Sequence, residues 1–139
     1  MKRMFVMVFF VGLGVANLVS TADSQMERLT KHSEKGLFKV EILLHGKELQ
    51  VGKNRVELWV TDKKGNEVTG ARITLIPFLH QHGESTLMKP RAAETGTGRY
   101  TADNLFIEIP GHWVLKIVIG KDDQEDMALF DFPGVKRSL

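Results

Sequence analysis

Apolar and polar residues alternate along most of this chain beyond residue 36. Such alternation places every second side chain on the same face, which is typical of β-strands with one buried face. The runs that show it are residues 38–44, 56–61, 68–80, 99–103, 105–109, 113–119 and 127–132. Seven short strands separated by turn residues, with no convincing helix, predict an all-β fold, an antiparallel β-sandwich.

Three local features add to this pattern. Pro77 has no backbone N–H for a neighbouring strand, so the strand at 68–80 is expected at a sheet edge or at a bulge. Residues 81–98 are polar and without regular pattern, and a long structureless connection in a compact domain is often functional. The acidic residues at 122–126 lack the glycine-containing spacing of a calcium loop and are interpreted as a solvated turn.

The first residues are typical of an export signal. Lys2 and Arg3 precede an uncharged apolar run at 4–19, followed by small residues at 20–22, which predicts a signal peptide over 1–22. Residues 23–35 are interpreted as a short linker or a loosely held turn of helix, ahead of a domain over 36–139. That domain is expected to be exported, in the periplasm or otherwise outside the cytoplasm. The alternative is a retained N-terminal membrane anchor, which leaves the domain on the same side.

The composition excludes several classes of function. The absence of cysteine excludes disulfide scaffolds, thiolate metal sites and cysteine nucleophiles. Two of the 19 Lys and Arg lie in residues 1–22, so 17 remain against 17 Asp and Glu, and nucleic-acid binding is not expected. No hydrolase elbow, phosphate-binding loop or zinc-protease motif is present, which predicts a protein that is not an enzyme.

A set of short motifs between residues 52 and 119 carries a family resemblance. The motifs are residues 54–60, Asp62-x-x-Gly65-x-x-Val68-x-Gly70-Ala71, His80-Gln81-His82-Gly83, residues 96–100, Leu105-Phe106 and Pro110-Gly111-His112-Trp113. Together they resemble the YtkA-like and FixH-like family of exported immunoglobulin-like domains, over about half of the chain. The resemblance implies an immunoglobulin-like β-sandwich outside the cytoplasm, associated with metal efflux or with respiratory oxidase assembly.

Two aromatic residues within these motifs are expected to stabilise the fold. Trp113 is large enough to anchor the core of the predicted sandwich. Tyr100 lies near the start of a strand, where it is expected to donate its hydroxyl to the backbone as in a tyrosine corner. Both are therefore expected to maintain the fold and to carry no chemistry.

One group of residues has side chains suited to binding a metal ion. It consists of His80 and His82, with Met88 six residues further on. In an extended segment, residues i and i+2 project to the same side, so the two imidazoles are expected to converge on one ion. Imidazole suits copper, zinc and nickel, and the Met88 thioether adds a preference for Cu(I). His112 is expected to approach from another loop across the edge of the sandwich. The family has Met before the proline of this segment, where this chain has Ile76, which removes one candidate thioether.

Two functions follow from these observations. The first is an exported, non-catalytic binding module that takes copper or another soft or borderline metal ion through the His-x-His loop. The alternative is an accessory domain, without a bound metal, that contacts a protein of a membrane efflux or oxidase-assembly system by its sheet edge or loops. A closed metal site uses more ligands than two imidazoles. Whether the loop at 81–98 supplies a further ligand therefore decides between the two functions.

Overall fold

The computed structural model describes residues 28–46, 48–84 and 89–137. These residues form nine β-strands: β1 Arg28–His32, β2 Phe38–Leu44, β3 Gly52–Asp62, β4 Arg72–Leu79, β5 Gly83–Glu84, β6 Arg91–Gly96, β7 Arg99–Ile107, β8 Gly111–Lys121 and β9 Gln124–Val135. Neighbouring strands are antiparallel throughout. The predicted all-β, antiparallel fold is confirmed. Over the same residues, no helix is long and apolar enough to cross a membrane.

The strands follow the order β1-β2-β3-β7-β6-β4-β8-β9, with β5 paired to β4 off this path. Strand β6 connects the strands β1, β2, β3 and β7 with the strands β4, β8 and β9. It pairs with β7 on one side and, through register pairs such as Ile73↔Ala92, with β4 on the other. The two ends of the path meet where the Glu34 amide donates to the Met127 carbonyl at 2.8 Å. The sheet is therefore continuous and nearly closed, with a barrel-like form.

The strands differ from the sequence prediction in three places. Part of the expected linker, Arg28–His32, forms β1 against β2. The expected structureless connection at 81–98 contains β5 and β6. Two predicted strands, 99–103 and 105–109, are the single strand β7. Strands β1 and β6 are exposed along almost their whole length, so they carry no apolar alternation to reveal them. The predicted signal peptide at 1–22 lies outside the described residues.

The core is built from the inward side chains of this alternation. Its largest fully buried members are Tyr100, Phe130, Ile42, Leu44, Leu49, Leu58, Ile73, Leu75, Leu105, Ile107, Leu115 and Ile117. Trp113 joins them at 2% exposure, and its Nε1 donates to the Ile109 carbonyl at 2.8 Å. The prediction that Trp113 packs in the core is confirmed.

Tyr100 makes the backbone contacts expected of it. Its hydroxyl donates to the Val68 carbonyl at 2.7 Å and accepts from the Ala71 amide at 3.1 Å. Burial raises the pKa of Tyr100 above its ordinary value, so the hydroxyl keeps the proton that it donates. The segment that leads into β4 is thereby tied to β7.

Pro77 lies in β4 opposite Leu115 of β8. The Leu75 amide donates away from β8, to the Pro90 carbonyl at 2.9 Å. Alternate residues of a strand direct their amides to the same side, so the nitrogen of Pro77 also faces away from β8. In the described part of the chain neither β5 nor β6 pairs with Pro77. The proline therefore lies at a gap between β5 and β6 where no donor is needed, within an interior strand and not at the sheet edge or bulge that was expected.

Asp126 corrects the interpretation of the acidic residues at 122–126 as a solvated turn. Its side chain is buried in β9 and accepts from the amides of Lys35, Leu37 and Met127 at 2.8–3.3 Å. Burial alone raises the pKa of Asp126, but hydrogen bonds from the Ser33 hydroxyl and these amides outweigh it and lower the pKa below the ordinary value. Asp126 therefore joins the β1–β2 turn to β9 as a charged acceptor.

Candidate functional site

His80 follows β4 directly and lies on the outer side of the sheet. In β4 the side chains of Ile73 and Leu75 are buried, whereas the alternate residues Ile76 and Phe78 are partly exposed. Strand β8 runs beside β4, and the His80 amide donates to the His112 carbonyl at 2.7 Å. The antiparallel pairing of β4 and β8 therefore sets the two histidines side by side.

The rings of His80 and His112 stack on each other. Their centroids are 4.4 Å apart and their planes differ by 24°. His112 does lie next to His80, but it approaches from the paired strand β8 and not from a loop across the edge of a sandwich. This cross-strand pair replaces the His80–His82 pair as the closest association of imidazoles that the structure shows.

Asp131 completes a cluster of three side chains, here called the histidine cluster: His80, His112 and Asp131. Nε2 of His112 is in hydrogen-bond contact with Oδ1 of Asp131, which lies on β9 opposite Val114 of β8. The side chains of His112 and Asp131 are 36% and 58% exposed. The cluster is thus a solvent-accessible site on the outer side of β4, β8 and β9.

His82 lies in a turn and not in an extended segment. Gln81 has a φ of 71°, and the His82 amide donates back to the Leu79 carbonyl at 2.9 Å. The expectation that the side chains of His80 and His82 project together along an extended segment is therefore wrong. A positive φ between the two histidines breaks the period of two on which that expectation depended.

Met88 lies outside the described residues, so the proposed thioether ligand stays a prediction. In the described part of the chain, no group of three or more His, Asp or Glu side chains is placed to hold a metal ion. Within the histidine cluster, the stacking of His80 on His112 gives a physical reason why the side chains are not placed to hold an ion. An imidazole lone pair lies in the plane of its ring, and two nearly parallel, stacked planes do not direct their lone pairs at one point.

Asp131 was not identified by the sequence analysis. The run at 127–132 places Asp131 on the outer face by alternation, but alternation does not reveal which strand lies beside β9 or in what register. Only the pairing of β8 with β9 brings Asp131 next to His112.

A second surface continues from the histidine cluster along the same outer face. It consists of apolar side chains that alternate with the core residues of β4, β8 and β9, and it is called here the outer apolar face. Its apolar members are Ile76, Phe78, Val114, Val118, Met127 and Leu129. Lys116 lies among them on β8, opposite Ile76 of β4 and Leu129 of β9. Register pairs such as Phe78↔Val114 place these residues in adjoining rows. Each side chain is partly exposed except Val114, which is buried.

The opposite outer face, on β1, β2, β3 and β7, is made of paired charges. Glu57 is buried there, with Arg99 Nη2 at 2.9 Å and His45 Nε2 at 3.7 Å from its carboxylate oxygens. Arg28 and Arg99 both lie over the ring of Trp59, each 5.3 Å from its centroid. These groups satisfy one another, so this face is interpreted as structural.

In comparisons with known proteins, no family model, no curated protein and no solved structure matches this chain.

Proposed function

We propose that the chain is an exported, non-catalytic binding module of the YtkA-like and FixH-like type that takes a metal ion at the histidine cluster. Its site of action is then outside the cytoplasm, whether the N-terminal segment is cleaved or retained as an anchor. The positions of the motif residues in the structure support this proposal. Trp113 and Tyr100 fill the core, and His80 and His112 meet on the surface.

The finer fold proposed with it is the immunoglobulin-like β-sandwich. The order of strands supports this, because β1-β2-β3-β7-β6 and β4-β8-β9 form two groups, and the pairing of β6 with β4 between them is short in the described residues. Residues of both groups, among them Leu58 and Ile117, belong to the same buried core. A sandwich of this kind presents its loops and strand ends at two opposite rims, and His80 and His112 share one of them.

The observation that carries the metal proposal is the contact of His80 with His112 while Asp131 accepts from the same His112 ring. Metal-binding histidines commonly donate their second ring N–H to a carboxylate, which orients the ring. His80 is exposed, so rotation of its ring out of the stack is fast and meets little steric resistance. After that rotation the two imidazoles offer nitrogen donors from adjacent strands, with His82 nearby in the turn. Copper and zinc are the ions that such donors favour.

Calorimetric titration of the purified domain with Cu(II) and with Zn(II) tests the metal site. The double substitution His80→Ala and His112→Ala should weaken binding by about 100-fold or more, because loss of an outer-shell partner alone costs about 10–100-fold. The matched control is His32→Ala, which removes an imidazole from the exposed strand β1 and should leave the affinity within about twofold. A wild-type domain without measurable binding of either ion, or an equal loss in the control, would contradict the proposal.

The outer apolar face favours a second candidate function, an accessory domain that contacts a membrane efflux or oxidase-assembly protein. Contiguous apolar surface on a monomeric domain often marks a protein contact. Here Phe78, Leu129 and their neighbours form a partly exposed apolar surface that Lys116 interrupts, whereas the opposite outer face is covered with paired charges. In this alternative the histidine cluster forms a polar rim to the contact.

Photo-crosslinking in the producing cells tests this second candidate. A photoreactive residue at Leu129 should give one defined adduct with a membrane-associated protein, because Leu129 is a partly exposed member of the outer apolar face. The control position is Thr61 on the outer side of β3, where no adduct is expected. Equal labelling at both positions, or none at Leu129, would exclude the outer apolar face as the contact.

A further inference from the structure

The contact of His112 with Asp131 determines which nitrogen of His112 is available. An ionised carboxylate can only accept a hydrogen bond, so Nε2 of His112 must be the protonated nitrogen in this contact. A neutral His112 then carries its lone pair on Nδ1. His112 is therefore prepared to bind a ligand through Nδ1 and not through Nε2.

The elements that hold this contact are strands and not loops. His112 and Asp131 belong to β8 and β9, which pair along almost their full length, with Val114 opposite Asp131. His112 itself lies at a shift of register between Gly111 and Trp113, and such bulges redirect a side chain. Positions on paired strands are more precisely held than positions in loops. The pairing of β8 with β9 on either side of this bulge, together with the contact to Asp131, thus sets the orientation of the His112 ring.

Resting on the metal-binding function proposed above, we propose that Asp131 is a positioning residue for an all-nitrogen metal site. His112 coordinates through Nδ1, and His80 supplies the second nitrogen once its exposed ring has rotated out of the stack. Asp131 does not touch the ion but fixes the tautomer and the orientation of His112. The ion class is then a borderline divalent cation, Cu(II) or Zn(II), because both proposed donors are imidazole nitrogens. This ligand set differs from the His80–His82–Met88 set predicted from the sequence in taking His112 in place of His82, and Met88 lies outside the described residues.

Nitrogen-detected NMR of the wild-type protein tests the tautomer directly. Before metal is added, His112 should show the signature of a protonated Nε2 and an unprotonated Nδ1. Addition of Zn(II), which is diamagnetic, should shift the Nδ1 resonance of His112 most strongly. A shift centred on Nε2 instead would overturn the assignment of the donor atom.

Substitutions at Asp131 test its positioning role through affinity. Asp131→Ala should weaken Zn(II) and Cu(II) binding by about 10–100-fold, the effect of losing an outer-shell acceptor. Asp131→Asn retains an acceptor oxygen without the charge, so it should recover part of this loss. The control Asp103→Ala removes another exposed carboxylate, which pairs with Arg55 on the other outer face, and should leave the affinity unchanged.

Two further outcomes separate this inference from the proposed function. If the wild-type protein binds neither ion, the proposed function itself fails. If it binds an ion with the same affinity after Asp131→Ala, the function stands and the positioning role is excluded. Met88→Leu should leave Cu(II) and Zn(II) affinity unchanged, and a loss of affinity larger than that of His112→Ala would overturn the all-nitrogen ligand set.

Discussion

Replacing Trp113 with alanine is expected to lower the free energy of unfolding by about 3–5 kcal/mol, the range for loss of a large buried aromatic side chain. Trp113 is only 2% exposed and fills the core beside the β4–β8 pairing, opposite Leu79. The substitution removes this apolar contact area and leaves a cavity, and it also removes the donor to the Ile109 carbonyl. Urea unfolding followed by circular dichroism measures the loss without depending on tryptophan fluorescence.

The matched control is Trp59→Ala on the outer side of β3. Trp59 packs between the guanidinium groups of Arg28 and Arg99 and not in the core. Its removal should cost about 1 kcal/mol, the scale of exposed cation–π contacts. Equal shifts of the denaturation midpoint for the two substitutions would show that Trp113 does not hold the core as the structure indicates.

Trp113→Ala also connects stability to the candidate site, because Trp113 follows His112 in β8. If the start of β8 loosens, the His80–His112 contact should loosen with it. Metal affinity in Trp113→Ala is therefore expected to fall together with stability. In His80→Ala/His112→Ala, by contrast, affinity should fall while stability stays near the wild-type value.

Asp126→Asn should lower the free energy of unfolding by about 2–3 kcal/mol, the scale of hydrogen bonds to a charged group. The carboxylate of Asp126 accepts from the backbone amides of Lys35 and Leu37, which lie in the β1–β2 turn and meet β9 where the sheet nearly closes. An asparagine side chain carries no charge and directs an NH₂ group at donors that it cannot satisfy. Chemical denaturation near neutral pH measures the loss.

The dependence of stability on pH gives an independent test of Asp126. Its pKa in the folded protein lies below the ordinary value of 3.8. The stabilisation is therefore fully present above about pH 4 and is lost as the pH falls through the folded-state pKa. In Asp126→Asn this acid-sensitive part of the stability should be absent.

The control for both Asp126 measurements is Asp123→Asn, in the exposed turn that leads into β9. It should change neither the stability near neutral pH nor the acid dependence by a measurable amount. Parallel stability curves for the wild type and Asp126→Asn below about pH 4 would contradict the role of Asp126. They would mean that the pKa of Asp126 is the same in the folded and unfolded states.

Much of the strand content could be predicted from the sequence because one face of each main strand is buried. The alternation of Phe38, Val40 and Ile42 identified β2, and the same pattern in β8 placed Trp113 in the core. The pattern also placed His80 on the outer side of β4, away from Leu75. These are local properties, since neighbouring residues along one strand determine which face is apolar.

The candidate site was predicted only in part. His80 was identified, and His112 was expected nearby, but the partner assigned to His80 was His82 in the same loop. That assignment assumed extended backbone at Gln81, and the positive φ at this residue turns the chain instead. No side-chain pattern marks such a turn when the residue is not glycine.

What the sequence by itself determined was the all-β class, the inner and outer faces of the main strands, the core position of Trp113 and the hydrogen bond of Tyr100 to the backbone. What only the tertiary structure decided was which strands meet. The pairing of β8 with β9 brings Asp131 to His112, and the near closure of the sheet brings Asp126 to Lys35. These partners are 19 and 91 residues apart along the chain. Strand order and register are set by packing between distant segments, whereas alternation reports only the environment of a single strand.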